Sequence, residues 1–246
     1  MNQDGLIFEG MISIRAIIES GSRKIRKIYY DSKRASKYKK ELAWLGHRAE
    51  ESGFEIELCD KEEIEKLSDG STHGGIIAIC GERNIAPPTF DDIPENGFFM
   101  MLEGIEDPFN FGFAVRSAYA AGADGIILPE RNWMSSAGTV CRSSAGASER
   151  IAMFTANDSE TIALFKQKGY RVICADMPDS TGLWESDLKK PLLFVIGGEK
   201  RGISRAILDQ ADAKVRIDYG RDFPEALSAA SASAILAFEV MRQNQK

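Results

Sequence analysis

Six short, almost wholly apolar segments recur through the second half of the chain, and they constrain its fold more than any other feature. They read as strands over Phe98–Leu102, Gly125–Leu128, Arg150–Phe154, Arg171–Ala175, Leu192–Ile196 and Val215–Ile217. Helical stretches separate most of them, over Phe111–Ala121, Ser159–Lys168, Ser204–Gln210 and Glu225–Arg242. A strand with one wet face alternates apolar and polar residues; Phe98-Phe99-Met100-Met101-Leu102 and Leu192-Leu193-Phe194-Val195-Ile196 do not. Such strands are buried on both faces, which predicts an α/β fold with a parallel sheet covered by helices. In that architecture ligands bind beyond the carboxyl ends of the strands.

A break precedes this half. Three of the eight prolines, Pro87, Pro88 and Pro94, fall within residues 85–97, between two apolar runs, and the segment reads as an interdomain linker. The expected organisation is a first domain over 1–84, the linker, and a second domain over 98–246. The first part has extended runs at Lys24–Tyr30, Phe54–Cys59 and Gly75–Cys80, with helices at Gly10–Glu19, Ala35–Ser52 and Glu62–Leu67. That is a small α/β unit.

Charge is unevenly spread. The formal net charge is −6, which by itself argues against a polyanionic partner. Between Arg23 and Lys40, however, nine cations (Arg23, Lys24, Arg26 and Lys27 among them) stand against the single anion Asp31. A concentrated basic patch can bind a nucleic acid locally, although a solvated helix face has the same composition. The four cysteines are scattered without a C-x-x-C pair, and His47 and His73 are the only imidazoles, so no metal site is expected. No apolar run approaches the ~20 residues needed to cross a bilayer. Residues 1–5 lack the character of a signal peptide, so the expected compartment is the cytoplasm.

Three motifs lie in order along the second half. Asp107-Pro108-Phe109-Asn110-Phe111-Gly112 is followed by Arg116, with Asn110 placed to cap a helix beginning at Phe111. Alone it reads as a capped core helix with an exposed arginine. Phe194 to Ser204 contains Gly197-Gly198-Glu199-Lys200-Arg201-Gly202, which has neither the glycine spacing of a dinucleotide fingerprint nor the Lys-Ser/Thr ending of a phosphate loop. It offers a strand end turning sharply on glycines, with backbone groups presented to a ligand. The third combines Ile217-Asp218-Tyr219-Gly220 with Ala226-Leu227-Ser228 and an Ala/Ser-rich helix whose small side chains suit tight burial at a subunit interface. A further string, Cys141-Arg142-Ser143-Ser144-Ala145-Gly146-Ala147, reads on its own as a turn.

Taken together, from about Glu9 to Arg242, these motifs resemble those of the SpoU/TrmH family of RNA 2′-O-ribose methyltransferases, within the SPOUT superfamily. The resemblance implies a C-terminal parallel-sheet domain with a trefoil knot, preceded by a small RNA-binding domain related to a ribosomal-protein fold. It implies a homodimer, S-adenosylmethionine as cofactor, and ribosomal or transfer RNA as substrate, with ribosomal RNA favoured by the N-terminal domain; no metal and no membrane are implied. Residue by residue, it assigns Arg116, Asn110 and Glu199 to catalysis. It assigns Ala175, Ile196, Gly197, Gly198, Ile217, Leu227 and Ser228 to the cofactor. Arg23, Lys24, Arg26, Lys27, Arg142 and Ser144 fall on the RNA side. One departure stands out. Many relatives read Ile-Pro-Met and Ser-Leu-Asn where this chain has Ile217-Asp218-Tyr219 and Ala226-Leu227-Ser228, which keeps a catalytically silent RNA-binding relative as an alternative. A small-molecule enzyme on a doubly wound sheet is the more distant one.

Overall fold

The computed structural model describes residues 5–68, 72–129, 136–156, 158–198 and 201–245. The chain forms two compact units, one of residues 1–84 with 132–150, the other of 85–131 with 151–246.

The first unit is built on strands β1 (Leu6–Glu9), β2 (Ile25–Asp31), β3 (Glu55–Cys59) and β4 (Ile76–Cys80), in the order β1-β4-β2-β3. Only β2 and β3 run parallel; β4 is antiparallel to both its neighbours. Helix α1 (Met11–Ser20) ends on Gly21 in the left-handed conformation, φ 64°, where glycine carries no Cβ penalty. The helix expected over Ala35–Ser52 is two helices, α2 (Ser32–Lys37) and α3 (Lys39–Ser52), broken at Tyr38 (φ −114°, ψ 54°). Asp31 caps the first, accepting from the Lys33 N–H at 2.8 Å. A fourth helix, α4 (Lys61–Leu67), follows β3. Phe8, Ile14, Ile17, Ile28, Tyr30 and Leu45 form a core without solvent exposure.

Residues 136–150, which the sequence reading places in the second domain, pack within this first unit. Cys141 to Ala147, read as a turn, spans the end of helix α6 (Ala137–Ser143) and the start of α7 (Ala147–Arg150). Cys141 is fully buried in the unit's core. Glu149, 3 % exposed, accepts from Arg23 Nε at 2.9 Å and from the Ser22 hydroxyl at 2.7 Å. A buried charge pair of this kind is strongly unfavourable to break, because either partner alone would be left uncompensated.

The second unit is a seven-stranded, wholly parallel sheet: β5 (Phe98–Leu102), β6 (Gly125–Pro129), β7 (Ala152–Ala156), β8 (Arg171–Ala175), β9 (Thr181–Gly182), β10 (Leu192–Ile196) and β11 (Ala213–Arg216), ordered β7-β6-β5-β10-β8-β11-β9. Every residue of β5 and β10 is buried, as non-alternating strands require. The strand expected from Arg150 begins at Ala152, because Arg150 belongs to α7. Helices α5 (Pro108–Ala120) and α10 (Ala229–Asn244) pack on each other, and α8 (Asp158–Gln167) and the short α9 (Arg205–Leu208) complete the unit. Among the described residues no helix is long and apolar enough to cross a membrane.

Candidate functional site

The carboxyl ends of β8, β10 and β11 lie side by side, and the segments that follow them carry the second and third motifs. After β10, Gly197 and Gly198 turn the chain against the segment following β5. A Cβ on Gly198 would run into the Gly104 carbonyl, and one on Gly197 into the backbone of Gly202. Glycine is needed at both places for close approach rather than for φ. The Gly202 N–H donates to the Gly198 carbonyl at 2.9 Å, and Glu103 accepts from the Ser204 N–H at 3.0 Å, so the turn is tied at both ends. Glu199, expected to act in catalysis, lies outside the described residues.

A cavity of about 410 Å³ opens beyond β8 and β11. Its apolar lining includes Ala175, Ile217, Leu227 and Leu236. Its rim carries four carboxylates, Asp176, Asp218, Asp222 and Glu225, against the guanidinium groups of Arg216 and Arg221. The excess of negative charge favours a cationic ligand group, and the apolar floor favours a flat organic ring. Three of the seven residues expected to hold a cofactor therefore line one cavity. Ile196 is instead buried at the end of β10, and Ser228 caps α10, its hydroxyl accepting from the Ser231 N–H at 3.2 Å.

The altered third motif builds its own network. The Tyr219 hydroxyl accepts from the Leu227 N–H at 3.1 Å, closing the loop between β11 and α10. Its ring lies 6.2 Å from that of Phe223. Asp218 pairs with Arg216 Nε at 2.7 Å and packs where only Gly182 leaves room. Sequence reasoning saw the loss of the usual Ser and Asn and missed what Tyr219 and Glu103 supply. The signal for Tyr219 was present, a phenol in the departing Ile217-Asp218-Tyr219 string.

Arg116 and Asn110 are on α5 and do not line the cavity. Arg116 is exposed and its side chain has no partner among the described residues. Asn110 is not the helix cap: Asp107 is, accepting from the Asn110 N–H at 2.7 Å. Pro108 explains the shift, since it occupies the first helical position with a preset φ and no N–H to satisfy.

The expected RNA-side residues divide. Lys24 and Arg26 are exposed on the first unit, and Lys27 is paired with Glu57. Arg23 is buried against Glu149, and Ser144, 1 % exposed, spends its hydroxyl on the Cys141 carbonyl and the Ser148 N–H. Both are structural residues, a correction to the expectation, because each already satisfies a buried partner. Arg142 is ion-paired with Glu9 and bonds Thr72 at 3.2 Å. Burial pushes the Cys80, Cys141 and Cys174 thiols up to about 12, so none is a ready nucleophile. Among the described residues no three His, Cys, Asp or Glu side chains group as metal ligands.

Comparison with known proteins bears on the same regions. The model of the SpoU rRNA Methylase family matches residues 97–238, and that of RNA 2′-O ribose methyltransferase substrate binding matches residues 7–86. The chain is 26% identical over 243 residues to the 23S rRNA (guanosine-2′-O-)-methyltransferase RlmB of Bordetella pertussis, covering 97% of this chain and 98% of that one. It is 26% identical over 250 residues to RlmB of Shewanella oneidensis, covering the whole of both. Among solved structures, the AdoMet-bound rRNA methyltransferase from Sinorhizobium meliloti superposes with a TM-score of 0.82 at 24% identity, over 99% of this chain and 89% of that one.

Proposed function

The chain belongs to the SpoU rRNA methylase family, and from that premise we propose that it transfers a methyl group from S-adenosylmethionine to a ribose 2′-hydroxyl of structured RNA, with ribosomal RNA as the class of substrate. The observation that carries the reading is the cavity beyond β8 and β11. Ala175, Ile217 and Leu227 offer an apolar slot for adenine, and the carboxylate-rich rim suits a ligand bearing a sulfonium and an ammonium.

In the transfer the ribose oxygen attacks the methyl carbon, the carbon–sulfur bond breaks, and S-adenosylhomocysteine leaves with the electron pair. The hydroxyl proton passes to a base or to water. Because the sulfonium already makes the methyl electrophilic, the protein has chiefly to align the oxygen and stabilise its developing charge. Arg116 is the group for that task. Its planar fork of N–H donors, with no acceptor atom, clamps the neighbouring phosphate and the nascent alkoxide rather than acting as base. Glu199 is assigned to orienting the substrate or accepting the proton.

Arg116 does not line the cavity of its own chain, which supports a dimer in which α5 of one protomer completes the site of the other. The exposed apolar side chains of Phe109 and Phe113 on α5 and Phe238 on α10 fit such an interface. The insertion of β10 between β5 and β8 is compatible with the knot the family implies. The first unit would hold the RNA, and the cytoplasm is the compartment in which that RNA is met.

The test is incorporation of labelled methyl from S-adenosylmethionine into RNA from cells lacking this protein. Label recovered as 2′-O-methylribose, and lost in Arg116→Ala while cofactor binding persists, is the expected outcome. Cofactor binding without incorporation would overturn the reading in favour of a silent RNA-binding relative.

A further inference from the structure

Tyr38 sits at the break between α2 and α3, the place where the sequence pattern called for continuous helix, and its side chain is left 42 % exposed. Beneath it is a ladder of alternating ring and guanidinium. The buried Tyr30 ring has the Arg34 carbon 5.8 Å from its centroid, and the same guanidinium lies 4.7 Å from the centroid of Tyr38. Arg34 is fixed in this position: it donates to both oxygens of Glu41 at 2.9 and 3.0 Å and to the Gly74 carbonyl at 2.6 Å, and the Tyr30 hydroxyl donates to Glu41 at 2.6 Å. The guanidinium against the Tyr38 ring is therefore held rigid by a network that reaches the core, and Lys37 Nζ lies 5.4 Å from the same centroid, so the ring is braced and little side-chain entropy remains to be lost when something stacks on its exposed part.

The surroundings indicate what would stack. Between Asp31 and Glu41 the chain has five cations against two acids. Glu41 is neutralised by Arg34, and Lys33, Lys37, Lys39 and Lys40 are exposed with no acidic partner among the described residues. Lys39 and Lys40 begin α3, where the helix dipole disfavours positive charge. Cations held where they weaken their own helix point to a polyanion outside the protein. Phosphates fit the cations and an unpaired base fits the ring.

Resting on the RNA reading above, we propose that Tyr38 is a stacking platform for an unpaired nucleobase of the substrate RNA, with Lys39, Lys40 and their neighbours contacting the flanking phosphates. The site then selects a loop or bulge over a continuous duplex, since only an unstacked base can reach the ring.

The test measures binding of the full-length protein to a fluorescent single-stranded oligoribonucleotide and to a blunt RNA duplex across a salt series, with Tyr38→Ala, Tyr38→Phe and Lys39→Ala/Lys40→Ala. Loss of one stacked base weakens binding by about tenfold. Tyr38→Ala is expected to lose this for the single strand with an unchanged salt slope and an unchanged duplex affinity, and Tyr38→Phe is expected to restore it. The double lysine variant instead lowers the salt slope by about 1.5. Equal binding by Tyr38→Ala and the wild type overturns this inference alone. Equal losses on strand and duplex, or no rescue by Phe, also overturn it, because the ring would then be supporting the fold. Failure of the wild type to bind either RNA overturns the inference together with the RNA reading.

Discussion

Replacing Tyr219 by Phe removes one atom from the wall of the proposed cofactor cavity and leaves the ring contact with Phe223 in place. What is lost is the hydrogen bond from the Leu227 N–H, which fastens the loop after β11 to the start of α10. Such a bond contributes about 1 kcal/mol net at a solvent-accessible site. If the loop is held in its binding shape by this bond, the competent fraction falls and the apparent dissociation constant for S-adenosylmethionine rises by the same factor, up to about fivefold. Isothermal titration of the cofactor, or of S-adenosylhomocysteine, reads this directly. The turnover number at saturating cofactor should be nearly unchanged, because the bond orders the loop before binding and touches no reacting atom. Tighter binding by Tyr219→Phe would refute the reasoning. It would mean that the hydroxyl competes with the cofactor for the Leu227 N–H, and that the phenol is a placeholder rather than a latch.

Other outcomes follow from the same structure. Gly198→Ala forces a Cβ into the Gly104 carbonyl, and since both are backbone the turn must move; cofactor binding should be lost, as titration would show. Glu149→Ala strands the buried Arg23 guanidinium and should cost about 3–5 kcal/mol in urea unfolding, of which Arg23→Met in the same chain recovers a part. The thiols of Cys80, Cys141 and Cys174, raised to about 12 in the folded chain, ionise near 8.5 once unfolded. The unfolded state therefore binds fewer protons above that point, and stability should be level below about pH 8 and fall through the alkaline range, by up to about 1.4 kcal/mol per pH unit per thiol; the same thiols should resist a disulfide reagent until denaturant is added.

The sheet of the second unit was legible because its strands are buried on both faces, and that leaves an unbroken apolar record in the sequence: Phe98–Leu102, Arg171–Ala175 and Leu192–Ile196 fall where their composition puts them. The two-residue β9 and the edge strand β1 left no such record, being too short for any period to register. Helix ends were misread where a local competitor wins, as Pro108 does over Asn110, or where a partner distant in sequence engages the chain, as the Gly74 carbonyl does for Arg34, 40 residues before it and beside the break at Tyr38. The residues credited with binding RNA show the same limit. Composition counts Arg23 as a cation like any other, yet its partner Glu149 is 126 residues away, and only the fold turns that charge inward. What remains exposed after such pairing, Lys24, Lys33, Lys37, Lys39 and Lys40 among it, is the charge a polyanion can use, so the basic patch becomes informative about function only once its internal pairs have been subtracted.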